Sequence, residues 1–213
     1  MLFGRYRYVV VEGPIGAGKT SLATRLASHF QGATLLEKPE ANPFLERFYR
    51  DRPRYALPTQ LFFLFQRVQQ LAEVRQLDLF SERLFADFLL DKDRLFAALT
   101  LADDELRLYD RVLEHLKPQT VAPDLVIYLQ APIEVLIDRV ARRGNPIESG
   151  ISESYLRALA ESYTRFFHQY DDAPLLMVNT EHLNPIERDE DFELLIDRIG
   201  RLRGRREYFN LSA

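Results

Sequence analysis

The 213-residue chain contains no cysteine, which excludes disulfides and thiolate-held metals. Its four histidines, His29, His115, His168 and His182, lie far apart without ligand spacing, so no structural metal is expected. No run approaches the roughly 18 apolar residues that a membrane span requires. The N-terminus lacks a charged-then-apolar signal pattern, because Met1 leads almost directly into a strand. A cytoplasmic chain without membrane contact is therefore expected. Positive charge is not in excess either: the net charge of −4 argues against a general nucleic-acid binder. Lysine is scarce, limited to Lys19, Lys38, Lys92 and Lys117, and arginine carries nearly all the positive charge. An arginine cluster is weaker evidence in such a chain, and the C-terminal "RLRGRRE" reads as a solvated helix end.

What is present is a repeated alternation. "RYRYVVVEG" is a β-branched apolar run ending in glycine, and "KTSLATRLASHF" follows with apolar residues at helical spacing. Strand-like runs recur at 33–37, 82–90, 124–130 and in "PLLMVN" (174–179). Helical patterns run from about Arg54 to Leu77, over 103–116, over 132–143 behind Pro132, in "ESYLRALAESYTRFFHQY" and in "FELLIDRIGRL". Continuous rather than alternating hydrophobicity marks strands buried on both faces. The expected fold is thus α/β: a three-layer α/β/α domain over 1–213 with a five-stranded parallel sheet. Only the tail, about 204–213, reads as loosely attached.

Between the first strand and first helix stands "GPIGAGKT", Gly13-Pro14-Ile15-Gly16-Ala17-Gly18-Lys19-Thr20, followed by Ser21. It satisfies the phosphate-loop pattern G-x-x-x-x-G-K-S/T in the strand–loop–helix context that gives the pattern meaning. Glycines permit the tight turns that aim N–H groups inward, and the helix N-terminus adds positive potential where phosphates sit. Lys19 is expected on the β- and γ-phosphates and Thr20 on Mg²⁺, making Gly13 to Ser21 the ATP-binding loop. The chain lacks the Asn-Lys-x-Asp guanine motif of GTPase switches, which leaves a small-molecule kinase as the leading class.

Further along, "LLEKPEANPFLERFYRD", "YALPTQLFFLFQR", "DFLLDKDRLFA" and "RVARRGNPIESGI" follow one another over about residues 6 to 180. In this order the chain resembles the deoxynucleoside kinase family, nearest the bacterial deoxyadenosine/deoxycytidine/deoxyguanosine kinase branch. The resemblance implies that Glu37 accepts the proton of the 5′-hydroxyl and that Tyr49 bonds the sugar. It implies that Gln60, Arg67 and Asp93 read the base. It places Asp87 beside Mg²⁺, with the reverse assignment of Asp87 and Glu37 left open. An arginine-rich lid, about 142–151, then brings Arg139 and Arg143 to the phosphates and Glu148 to the 3′-hydroxyl.

The chain also departs from the family pattern. Lys38 is inserted before Pro39, Phe88 and Leu89 occupy the places of an Arg-Ser pair, and Asn145 stands where an arginine is common. Transition-state charge in phosphoryl transfer requires cations. Arg142 or Arg94 is therefore expected to make up the deficit. The resemblance further implies ATP and a deoxynucleoside as ligands, a homodimer, and feedback inhibition by a deoxynucleoside triphosphate. Two other readings are a nucleoside monophosphate kinase of the thymidylate kinase type and a non-catalytic P-loop nucleotide-binding protein.

Overall fold

The computed structural model describes residues 6–76, 83–116 and 122–211. The expected helix end at Leu77 and strand start at Glu82 lie outside them. The sheet comprises β1 (Tyr8–Glu12), β2 (Ala33–Leu35), β3 (Leu84–Ala86), β4 (Leu125–Gln130), β5 (Leu175–Asn179) and β6 (Arg206–Phe209). Spatial order is β2-β3-β1-β4-β5-β6, with every neighbouring pair parallel. Between the strands run α1 (Lys19–Phe30), α2 (Leu45–Arg50), α3 (Arg52–Gln76), α4 (Asp93–Thr100), α5 (Asp103–Leu116), α6 (Ile133–Arg143), α7 (Glu153–Gln169) and α8 (Asp189–Gly200). Among the described residues, no helix is long and apolar enough to cross a membrane.

The unbroken apolar runs divide by parity, as the pleat requires. Val9, Val11, Phe85, Leu125, Ile127, Leu129, Leu176 and Val178 join the core on the α1 and α8 face. Val10, Leu84, Ala86, Val126, Tyr128, Leu175 and Met177 join the core on the opposite face, with Leu159, Tyr163 and Phe167 of α7. Both faces are dry, so the open end of the sheet is left for ligands. β1 lies between β3 and β4, where the crossovers change direction, and the crevice beyond the carboxyl ends of strands at such a switch point is the usual binding place.

Two expectations are corrected. The sheet has six strands rather than five, because the C-terminal segment is a strand. Main-chain pairing from Leu175↔Arg206 to Val178↔Phe209 holds it to β5, and Arg206 donates to the carbonyls of His168 (2.6 Å) and Tyr170 (2.5 Å). The run 82–90 does not stay in the sheet. Register on both sides of β3 ends at Ala86, opposite Val10 and Leu35. Beyond it, side chains take over from the ladder: Leu89 N–H donates to Glu12 Oε1 at 2.7 Å. A 3-10 turn, Leu90–Lys92, then leads into α4, and the apolar residues of α4 and α2 carry no separate strand or helix signal in the sequence. Asn145, standing where an arginine is common, caps the lid turn: its side chain accepts from Ile147 N–H at 3.1 Å and opens the 3-10 turn Pro146–Gly150.

Phe209 and Leu211 also pack on the α1 and α8 core. Truncation after Arg205 is expected to lower Tm by about 4–8 °C, corresponding to roughly 2 kcal/mol of lost burial in a domain of this size. Differential scanning calorimetry showing an unchanged Tm would mean that the tail is only loosely attached.

Candidate active site

One cleft of about 480 Å³ lies beyond the carboxyl ends of β1, β2 and β3, and it collects the sequence motifs. At one end is the phosphate loop. Gly16 (φ 87°) and Gly18 (φ 93°) occupy the left-handed region that favours glycine. A Cβ on Gly16 would meet the Leu136 carbonyl at 2.8 Å, and one on Gly18 would overlap Ile186. Lys19 curls back to donate to the Pro14 carbonyl at 3.2 Å. Burial, then repulsion from Lys92, pushes the Lys19 ammonium below its usual range. Thr20 Oγ1 donates to Asp87 Oδ2 at 2.5 Å, while Asp87 Oδ1 accepts from Glu37 N–H at 2.8 Å. Asp87 thus fastens the end of β3 to both the loop and the chain after β2.

Glu37 sits at the centre. Its Oε1 accepts from Arg67 Nε at 2.7 Å and Nη2 at 2.5 Å and lies 3.0 Å from Lys92 Nζ. These contacts all fall on one oxygen, which leaves Oε2 for a ligand. Burial pushes the Glu37 carboxyl up, but Arg67, then Lys92 and Lys19, outweigh it and hold the group at about 2. Arg67 also pairs with Asp93 through Nη1, and its guanidinium lies 5.0 Å from the Phe63 ring centroid. Asp93 is buried behind Arg67, and its Oδ2 has no hydrogen-bond partner. Gln60, two helical turns before Arg67, is also buried and donates to Thr100 Oγ1 at 3.3 Å.

The lid closes the other side. Arg139 donates to Thr180 Oγ1 (2.9 Å) and to its carbonyl (2.7 Å). Arg143 pairs with Glu148 at 3.1 Å, and Arg142, at the exposed rim, pairs with Asp138 at 3.0 Å. Burial raises the Glu148 carboxyl from its usual range, with Arg143 opposing. Tyr49 lines the cleft beneath the lid turn, and burial raises its phenol well above the usual range. Arg52, stacked on Tyr155, donates to Ser152 at the lid's far end.

The structure therefore gathers Glu37, Tyr49, Gln60, Arg67, Asp87, Arg139, Arg142, Arg143 and Glu148 around one space. Arg94 is not among them. It projects from α4 on the outside and pairs with Asp110 at 3.0 Å, so it cannot supply the missing cation. Phe88 turns away as well, fully buried in the α7-side core. Two residues of the site escape sequence reasoning. Glu12, the last residue of β1, is fully buried, accepting from Gly13 N–H (3.0 Å), Leu89 N–H (2.7 Å) and Tyr163 Oη (3.1 Å). Lys92, equally buried, lies 3.0 Å from Glu12 Oε1 as well as from Glu37. An acid closing an apolar strand and a lysine in an arginine-rich chain were the available signals.

Thr20 and Asp87 are hard oxygen donors of the kind that hold Mg²⁺ when water and phosphate complete its shell. Among the described residues there is no group of three or more metal-ligating side chains. The arrangement fits an ion shared with a phosphate ligand, not a caged one.

Comparison with known proteins agrees with this arrangement. The family model described as deoxynucleoside kinase matches residues 9–202. The deoxyguanosine kinase of Bacillus subtilis (strain 168) is 31% identical over 92% of this chain and 97% of its own length. The deoxyadenosine kinase of Lactobacillus acidophilus is 29% identical over 83% of this chain and 86% of its own. A solved structure of deoxyadenosine kinase from M. mycoides with dCMP bound superposes with a TM-score of 0.80, over 91% of this chain and 99% of that one. At 23% identity, that likeness speaks for the fold.

Gly150 marks how tightly the lid is seated. A Cβ there would stand 2.9 Å from Tyr49 Cβ and 3.2 Å from the Tyr49 backbone, closer than such atoms pack. Gly150→Ala is expected to lift the lid turn, raising amide hydrogen exchange over residues 144–151 about tenfold while the sheet is unaffected. Unchanged exchange would show that the lid does not rest on Tyr49.

Proposed function

The chain belongs to the deoxynucleoside kinase family, and on that premise we propose that it transfers the γ-phosphoryl group of ATP to the 5′-hydroxyl of deoxyadenosine, deoxycytidine or deoxyguanosine for nucleotide salvage. The observation that carries this reading is a single cleft with a phosphate loop at one end, Gln60 and Arg67 at the other with Asp93 buried behind Arg67, and the free oxygen of Glu37 between them. A nucleoside bound across this cleft has its sugar near Tyr49 and Glu148 and its 5′-hydroxyl at Glu37.

In this reading Lys19 and the loop N–H groups hold the phosphates, and Arg139 and Arg143 close over them. Thr20 and Asp87 would hold Mg²⁺, which when bound neutralises phosphate charge. Glu37 Oε2 accepts the hydroxyl proton. A carboxylate held at about 2 is a weak base, and in a loose phosphoryl-transfer transition state the attacking hydroxyl needs orientation more than activation. Glu37 is thus chiefly an aligning acceptor that stays ionised throughout the neutral range. A monophosphate acceptor would need several free cations beside Glu37, whereas Arg67 is bound to two carboxylates there and Lys92 keeps at most one donor. The same proposal extends to a cytoplasmic homodimer, supported by the exposed Phe65 and Leu108 on the adjacent helices α3 and α5. Sedimentation equilibrium tests the dimer, and a monomer at micromolar concentration would refute it.

Base selection follows from the hydrogen-bond inventory. Asp93 only accepts and Arg67 only donates, so the pair suits a base that offers an exocyclic amino group beside a ring nitrogen or carbonyl. Thymine presents a carbonyl where an amino group is wanted, and the buried Oδ2 of Asp93 stays unpaired. Such a mismatch costs several kcal/mol. With labelled ATP and a nucleoside panel, kcat/KM is expected to be at least about 100-fold higher for the preferred amino-bearing deoxynucleoside than for thymidine. Asp93→Asn should narrow the gap. Efficient thymidine phosphorylation by the unaltered chain would contradict this placement. Asp87→Asn is expected to raise the Mg²⁺ concentration for half-maximal activity, whereas Glu37→Gln should lower kcat by about 100-fold with ATP affinity retained. Equal Mg²⁺ dependence in the two variants would merge their roles.

A further inference from the structure

The 3-10 turn after β3 performs a sorting step. Asp91 is left exposed, Arg94 projects outward to Asp110, and Lys92 is turned inward until only 1% of it is exposed. Burying an ammonium is costly unless carboxylates surround it. Here two do, Glu12 and Glu37, each with an Oε1 at 3.0 Å. Neither acid depends on Lys92 for its hydrogen bonds: Glu12 accepts from Gly13, Leu89 and Tyr163, and Glu37 accepts twice from Arg67. An ammonium has three donors. Two are used here, and the third remains for a ligand oxygen in the cleft that Lys92 lines.

The location narrows what that ligand is. Lys92 bridges the acid that immediately precedes the phosphate loop and the acid we place at the 5′-hydroxyl, so it lies between donor and acceptor. Lys19 and Lys92 both line the same cleft, and after burial it is Lys92 that most lowers the Lys19 ammonium. The lid arginines Arg139, Arg142 and Arg143 line the lid side of the cleft, which leaves the sheet side to Lys19 and Lys92. We propose that Lys92 is a catalytic cation, bonding the transferring phosphoryl group from the sheet side while holding Glu37 in line with it. This rests on the kinase reading above. No bond to Lys92 forms or breaks covalently: as the phosphoryl group leaves ADP for the 5′-oxygen, its charge is met by Lys92 and Lys19, and the hydroxyl proton passes to Glu37.

A buried lysine between two acids has a plain structural alternative, that it serves only as the counter-ion of Glu12. Steady-state kinetics and thermal melts of the wild-type chain, Lys92→Arg, Lys92→Met and the double variant Glu12→Gln/Lys92→Met separate the two. Lys92→Met leaves Glu12 buried without a cation and destabilises the fold; the double variant removes both charges together. The double variant is expected to melt above Lys92→Met but below the wild type, since an amide at position 12 has only one oxygen to accept from the Gly13 and Leu89 N–H groups, and to show kcat lowered by about 100-fold or more, with KM for the nucleoside within about threefold. Its acid limb in the kcat–pH profile should move upward, because Glu37 loses one of its cations. Lys92→Arg should recover at least about a tenth of wild-type kcat, since charge is kept while geometry changes. A double variant turning over within about threefold of wild type, with an unmoved pH profile, would overturn the inference and leave Lys92 a counter-ion. A wild-type chain that phosphorylates no deoxynucleoside would instead overturn the kinase reading itself, a distinguishable failure.

Discussion

Arg67 and Lys92 meet on one oxygen of Glu37, and much of the site is arranged around that meeting. Arg67 comes from the middle of α3, Lys92 from the turn after β3, and Glu37 from the chain after β2. Each is tied onward, Arg67 to Asp93 on α4 and Lys92 to Glu12 at the end of β1. The end of β1, the chain after β2, the turn leading into α4 and the middle of α3 are thus held at one point by charge. Removing one partner from such a buried set strands its neighbours, at a cost of several kcal/mol. The dry cores on the two faces of the sheet supply the opposing stability, since Phe88, Tyr128, Tyr163 and Phe167 pack directly behind the charged residues.

This arrangement has a functional consequence that simple hydrophobic packing would lack. With Oε1 occupied by two cations, Glu37 presents Oε2 in a fixed orientation and in its ionised form. Asp87 is fixed in the same manner by Thr20 and the Glu37 N–H. Two carboxylates in one cleft are thereby assigned different tasks by their partners. One keeps an oxygen open to the cleft, and the other is joined to the phosphate loop. Such preorganisation means that little has to move when substrates arrive, apart from the lid.

What the sequence revealed follows a physical division. The phosphate loop was legible because its function is local: glycine positions, the lysine and the hydroxyl all lie within one turn between a strand and a helix. The α/β/α class was legible because doubly buried strands read as unbroken apolar runs. Gln60 and Arg67 were singled out through resemblance and a shared helical face, and the cleft holds both. Lys92 and Glu12 were not legible, because an ion pair between the end of β1 and the turn after β3 exists only once β1 and β3 are neighbours. Arg94 drew attention as an arginine near the motif, yet its side of α4 faces Asp110 and solvent. The final strand was hidden in an arginine-rich tail because it is an edge strand, only half-buried, held by main-chain pairing and by Arg206 rather than by an apolar pattern.

The state of Glu37 is the point at which these claims meet. Selective ¹³C labelling of glutamate carboxyls, with the Glu37 resonance assigned by its loss in Glu37→Gln, would follow its titration in the free protein. Its folded-state value lies below the ordinary 4.5, near 2, so the network's contribution is fully present above that ordinary value and is lost only as pH falls toward the folded one. The account predicts a resonance that stays on the ionised plateau from neutral pH down to the onset of acid unfolding. A titration midpoint at or above 4.5 in the folded protein would contradict it, showing that Arg67 and Lys92 do not converge on this carboxylate.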